Sequence, residues 1–201
     1  MTGHLQLVLS RTALALALVA APLSVVAQEN DQSEDIASDL ALGEQVDETR
    51  QVGDSYIKEE FSDWAMRCIV SDDENDPCQM YQLLTDQQGS PIAEVTLFPL
   101  PEGSQAVAAM NVIVPLETAL QQQLTIKVDE SQALRYPYAL CNTVGCYARI
   151  GLQEEQLSTY RNGSAAVLTI IPFAAQDQRV QVTMSLSGFT AAFDALSAEQ
   201  Q

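Results

Sequence analysis

Histidine is almost missing from this sequence, and its one copy, His4, lies at the extreme N-terminus. If the first 27 residues are removed on export, the remaining chain has no imidazole. That excludes Ser-His-Asp and Cys-His catalysis and removes the commonest transition-metal ligand. Lysine is scarce as well: Lys58 and Lys127 are the only two, so a Ser-Lys dyad has few candidates. No Gly-x-Gly-x-x-Gly or phosphate-cradling loop occurs, so no nucleotide is implied. Positive charge is short overall. Nine basic residues face 27 acidic ones, a formal net charge of −18. Nucleic acids and anionic membrane surfaces reward clustered Lys and Arg, so the expectation is no nucleic-acid partner. The same charge favours solubility and leaves room for a basic partner.

Long apolar runs are also absent, with one exception. After Arg11 the segment Thr12 to Ala21 (TALALALVAA) is apolar, Pro22 breaks it, and Val25-Val26-Ala27 offers small or short residues for cleavage. A positive start, a short apolar core and a small-residue site in that order read as a secretory signal peptide over 1–27, cut before Gln28. The run is shorter than the roughly 20 residues that span a bilayer, so no transmembrane segment is expected in the mature chain. No cysteine follows the apolar core closely, which argues against a lipoprotein anchor. Loss of Arg11 leaves 27 acids against 8 bases, a net charge of −19.

Residues 28–55 (QENDQSEDIASDLALGEQVDETRQVGDS) are acidic and poor in aromatics. Such a segment buries too little surface to offset its ordering entropy, so it is expected to be a disordered leader, with a short helix at Ile36 to Leu42 as the alternative. From Tyr56 the pattern changes to short runs of period two between turn residues. Trp64, Met66, Cys68 and Val70 share one face of a first strand. Cys78 to Leu84 returns, with Asp72-Asp73-Glu74-Asn75-Asp76-Pro77 at the tip. Further strands are expected at Ile92–Phe98, Ala106–Val114, Leu124–Val128, Leu134–Tyr136, Cys146–Ile150, Ala166–Phe173 and Val180–Leu186. A short helix at Gln153–Tyr160 is expected to stop at Asn162-Gly163 through a left-handed cap, and another follows Gly188 over Phe189–Leu196. Trp64 reads as a core anchor, Tyr136 and Tyr138 as strand-edge packing, and Phe189 and Phe193 as the buried stripe of the last helix. The expected fold is all-β: one sandwich or compact barrel of about 8–9 antiparallel strands with short helices, occupying residues 56–198.

Four cysteines, Cys68, Cys78, Cys141 and Cys146, follow the export signal. An even count in an exported chain reads as disulfides, here stapling a domain already large enough for a core. Three pairings exist. The local one, Cys68 with Cys78 and Cys141 with Cys146, is expected from the short separations, and each loop would contribute about 2–3 kcal/mol by chain entropy. A redox centre is the first alternative, but its usual signature is Cys-x-x-Cys at a helix start. A four-cysteine zinc site is the second, disfavoured by oxidising surroundings.

Paired carboxylates could in principle run glycoside hydrolysis, yet with this many acids no pair stands out. The tip residues Asp72, Glu74 and Asp76 alternate like a calcium loop, but Pro77 and Leu83 occupy the positions where an EF-hand needs glycine and glutamate. A solvated turn is the expectation. No catalytic, cofactor-binding or metal-ligating residue is therefore assigned.

Taken in order, several segments resemble the invasion-associated locus B protein family of exported bacterial proteins. They are Phe61-Ser62-Asp63-Trp64 leading to Cys68, then Cys78-Gln79-Met80, and Val112-Ile113-Val114-Pro115-Leu116 with Leu124 to Asp129. Pro137-Tyr138 leading to Cys141, followed by Gly145-Cys146-Tyr147-Ala148, is the most telling match, and Ser185 to Phe193 (SLSGFTAAF) completes it. The resemblance covers roughly Tyr56 to Leu196. It implies a β protein of the periplasm or surface of a Gram-negative bacterium, linked in some pathogenic relatives to entry into host cells. It implies no known reaction. The leading expectation is a non-enzymatic protein that binds an unidentified protein or envelope component. A periplasmic chaperone or assembly factor, and a carboxylate-based envelope hydrolase, are the alternatives. An exposed apolar groove or free sheet edge would favour the chaperone, and two close acids with raised pKa values the hydrolase.

Overall fold

The computed structural model describes residues 50–73 and 75–199. The expected signal peptide, the leader up to residue 49, the possible helix at Ile36–Leu42 and Glu74 lie outside the described residues.

Eleven strands form two antiparallel sheets. In chain order they are β1 (Ser55–Phe61), β2 (Trp64–Ile69), β3 (Cys78–Thr85), β4 (Pro91–Pro99), β5 (Ala108–Val114), β6 (Leu124–Val128), β7 (Leu134–Tyr136), β8 (Tyr138–Cys141), β9 (Cys146–Leu152), β10 (Ala165–Ile170) and β11 (Val180–Ser185). Helix α1 (Glu154–Asn162) joins β9 to β10, and α2 (Phe189–Glu199) follows β11. The large sheet runs β1-β2-β3-β4-β5-β9-β8 and the small one β11-β10-β6-β7. Neither closes, so the fold is a sandwich and the barrel alternative falls away.

Alternation in sequence becomes alternation in burial. Trp64, Met66 and Cys68 of β2, Met110 and Val112 of β5, and Ala148 and Ile150 of β9 point inward from the large sheet. Leu124 and Ile126 of β6, Leu168 of β10 and Met184 of β11 meet them from the small sheet. The period of two along a pleated strand dictates this arrangement. The small sheet is narrower than the large one, and α2 packs over β1 to β4 where it does not reach. Its buried side is Phe189, Ala192, Phe193 and Leu196. Phe189 meets Trp64 edge-on at 5.4 Å and stacks with Tyr160 of α1 and with Phe193; aromatic pairs of this kind contribute about 0.5–1.5 kcal/mol beyond burial.

At one flank the chain passes straight from β7 to β8 through Pro137, switching sheets at the corner. At the other, a buried polar clasp joins the layers. Gln82 of β3, 7% exposed, donates from Nε2 to the carbonyls of Asp63 and Ser185, and its Oε1 accepts from Ser185 N–H at 3.0 Å. Trp64 Nε1 donates to the same Ser185 carbonyl at 2.9 Å. Gly188 then turns the chain into α2 with φ of +85°, and a Cβ there would collide with the Phe61 carbonyl. Only glycine combines that torsion with that approach.

Some expectations change in detail. β1 and β8 add two strands to those anticipated, because a register shift interrupts the alternation of each. The last residues of the acidic segment join the sheet: Gly53 N–H donates to the Val70 carbonyl and Val70 N–H to Asp54. Helix α1 does end at Asn162, but not by a left-handed cap. Gly163 is extended (φ −79°), and its small size is needed because a Cβ would meet Val128 and Leu186 at 2.7 and 2.8 Å. Phe189 and Phe193 do form the buried stripe of the last helix, and Tyr136 and Tyr138 pack half-buried against the core. No helix among the described residues is long and apolar enough to cross a membrane.

Candidate functional site

The two disulfides occupy equivalent positions in their hairpins. Cys68 bonds Cys78 across β2 and β3, and Cys141 bonds Cys146 across β8 and β9, each between directly opposed residues with Cα atoms 4.0 Å apart. The adjoining backbone bonds, Ile69 N–H to Pro77 and Asn142 N–H to Gly145, put both cysteine pairs at non-hydrogen-bonded positions. There opposed side chains lie closest, which suits a short bridge. No free thiol exists among the described residues.

The first disulfide has its Cys68 end wholly in the core. Beside it, two carboxylates of the acidic tip, Asp73 and Asp76, are held by neighbouring donors. Asp76 accepts from Ser71 N–H and from the Tyr56 hydroxyl, both at 2.8 Å, and Asp73 accepts from the Ser71 hydroxyl at 2.6 Å. The Ser71 hydroxyl holds the Asp73 carboxyl below its ordinary range, and the Ser71 amide does the same for Asp76. A hydrolase acid needs a raised pKa, so these two groups are displaced in the unhelpful direction. Among the described residues no cluster of three or more His, Cys, Asp or Glu could hold a metal ion.

The second disulfide borders an open cleft. Cys141 and Cys146 form one wall, the β5–β6 connection (Leu116 to Gln121) a second, and Phe173 and Ala174 of the β10–β11 connection a third, around about 610 Å³. Three large apolar side chains stand out of the protein here: Phe173 is 68% exposed, Leu116 54% and Leu120 43%. A cluster of this kind marks a contact surface more often than chance does.

The cleft is rigidly built. Phe173 N–H donates to the Glu117 carbonyl and Ala119 N–H to the Ile171 carbonyl, both at 2.8 Å, which pins the two connections together. Buried Thr118 donates its hydroxyl to the Pro115 carbonyl at 2.7 Å. On the disulfide wall the Asn142 side-chain oxygen accepts from Val144 N–H at 2.8 Å. A Cβ on Gly145 would strike the Val114 carbonyl oxygen at 2.5 Å, so the hairpin lies flat against β5 only because that residue is glycine. The apolar groups are thus held in water by backbone bonds made elsewhere, and binding there would cost little ordering entropy.

Sequence reasoning named Cys141 and Cys146 but missed the other walls. Leu116 and Phe173 follow or flank prolines in loops, and only the folded chain reveals that the two loops meet. The cysteines themselves are divided by the fold: one pair borders the cleft, while the other anchors the opposite half of the large sheet.

Comparison with known proteins follows the same frame. A family model described as Invasion associated locus B (IalB) protein matches residues 64–197. An invasion protein B homolog of Brucella abortus strain 2308 is 24% identical over 146 residues, covering 73% of this chain and 82% of that protein. Its counterpart in Brucella abortus biovar 1 strain 9-941 matches to the same extent. The crystal structure of invasion associated protein b from Bartonella henselae shares the fold, with a TM-score of 0.61 at 20% identity over 71% of this chain and 96% of that one.

Proposed function

Since this chain belongs to the invasion associated locus B family, we propose that it is an exported, non-enzymatic binding protein that uses the cleft beside Cys141–Cys146. The observation that carries this reading is the rigid display of Phe173, Leu116 and Leu120 in water. The signal-like N-terminus and the two disulfides support export, since such bonds persist in oxidising compartments. The absence of histidine beyond His4 supports binding over catalysis. The Brucella and Bartonella relatives are named for invasion, and contact with a host component is the broader setting of the proposal.

The occupant is a protein segment that presents an apolar side chain with a basic flank. The apolar walls suit the anchor, while Glu117 in the cleft and the net charge of −18 suit the flank. Fluorescence anisotropy with two labelled peptides tests it. Both carry a Phe-Leu anchor, one flanked by lysines and one by glutamates. The lysine peptide should bind, and Phe173→Asp should weaken it by roughly tenfold or more, the equivalent of one lost apolar anchor. Failure of the lysine peptide to bind, or unchanged binding by Phe173→Asp, would refute the reading. Equal binding of both peptides through the cleft would favour the second reading, a chaperone or assembly factor that grips apolar segments without regard to charge.

A further inference from the structure

A second cavity, of about 440 Å³, lies on the other side of the small sheet's edge, between α1 and the β6–β7 hairpin. We propose that it binds a neutral, hydroxyl-rich ligand the size of a short saccharide, independently of the apolar cleft.

Tyr160 stands at the inner wall of this cavity. This residue is 4% exposed, its ring is stacked on Phe189 at 5.8 Å, and it lines the cavity. Its hydroxyl makes no hydrogen bond to any described residue, yet it is not among the sealed, unpartnered polar atoms, so water in the cavity can serve it. Packing has fixed the ring and left its donor facing the cavity, where a ligand hydroxyl can take the place of water. Burial first, and Tyr136 second, push this phenol upward, so it remains a protonated donor throughout the physiological range. Tyr136 supplies a second hydroxyl, which accepts a long bond of 3.4 Å from Gln156 Nε2 and keeps its own proton available.

The remaining lining sets the ligand class. Ile126 and Leu134 provide an apolar floor, and Gln132 adds an uncommitted amide at the rim. The only charged residue on the lining is Glu155, and no Lys or Arg contributes, so anions gain nothing there. Uncharged donors and acceptors facing an apolar and aromatic surface match a sugar ring, with hydroxyls on its edge and C–H groups on its face. The volume falls within the range of ordinary small-molecule sites.

The experiment is a ¹⁵N–¹H chemical-shift titration of the protein with maltose, cellobiose and N,N′-diacetylchitobiose, with glucuronate as the anionic control. At least one neutral disaccharide should produce saturable shifts centred on residues 131–136 and 153–160, and glucuronate should not. Tyr160→Phe should weaken that binding roughly five- to tenfold, as expected for one lost hydrogen bond. Its melting temperature should equal or exceed the parent's, because the hydroxyl has no internal partner to lose. Gln132→Ala, on the exposed rim, should also weaken binding without touching the core. The proposal is overturned if no neutral disaccharide gives saturable shifts in these segments, if glucuronate matches them, or if both variants bind as tightly as the parent.

Discussion

Replacing Gln82 with leucine tests whether the two sheets are held together by polar bonds as well as by apolar packing. Leucine nearly fills the volume, so cavity formation is small and the change isolates hydrogen bonding. Three bonds disappear: two donated to the Asp63 and Ser185 carbonyls, and one accepted from Ser185 N–H. The Ser185 carbonyl keeps its Trp64 donor at 2.9 Å, but the Asp63 carbonyl and the Ser185 amide lose the Gln82 partner inside a site where that side chain is 7% exposed. At about 1 kcal/mol for each bond, the loss is roughly 3 kcal/mol. For a domain of this length that lowers the melting temperature by roughly 6–12 °C. Calorimetry and urea unfolding of Gln82→Leu against the parent measure it, with the urea slope expected to stay constant. A loss below about 1 kcal/mol would show that water or backbone adjustment replaces the clasp, and the argument that it couples the layers would fail.

Other outcomes follow from the same structure. Peptide mapping without reduction should recover Cys68–Cys78 and Cys141–Cys146, and a Cys68–Cys141 peptide would contradict the hairpin pairing; Cys68→Ala with Cys78→Ala should cost about 2–3 kcal/mol in chemical unfolding. Gly188→Ala should be more damaging than an ordinary loop substitution, by at least about 2 kcal/mol, because it strains a positive φ and drives a methyl group into the Phe61 carbonyl; a neutral effect on melting would refute the steric reading. Burial pushes the Tyr138 hydroxyl from 10.0 up to about 12, so stability is intact below pH 10 and should fall as pH rises toward 12, when the unfolded phenol ionises first; denaturant midpoints measured across that window check the sign. Deleting residues 28–48 should leave the melting temperature nearly unchanged, whereas extending the deletion through Asp54 should lower it by removing the bonds to Val70.

Much of the fold was legible because its strands are half-buried, and half-burial writes period two into the sequence. Trp64-Met66-Cys68 and Leu124-Ile126-Val128 show the pattern plainly. β1 was not legible, since Lys58, Glu59 and Glu60 occupy an edge whose register shifts between Ile57 and Glu59. β8 was hidden by its four-residue length and its own irregularity. Gly163 looked like a torsional stop and proved to be a steric one, a distinction that depends on Val128 and Leu186, distant in sequence. Both cavities were invisible for the same reason. Leu116 and Phe173, or Tyr136 and Tyr160, become neighbours only when separate connections or elements are brought together, and no local pattern encodes that meeting.

The placement of the cysteines has a consequence for how the chain matures. Each bridge closes over a short span, of 10 and 5 residues, and joins the first cysteine to the second and the third to the fourth. A chain delivered N-terminus first to an oxidant offers Cys68 and Cys78 before Cys141 has emerged, then the second pair after the first is spent. Pairing in order of arrival is therefore pairing in the native pattern. Such a chain is expected to reach its native pairing with an oxidase alone, without a catalyst that reshuffles disulfides.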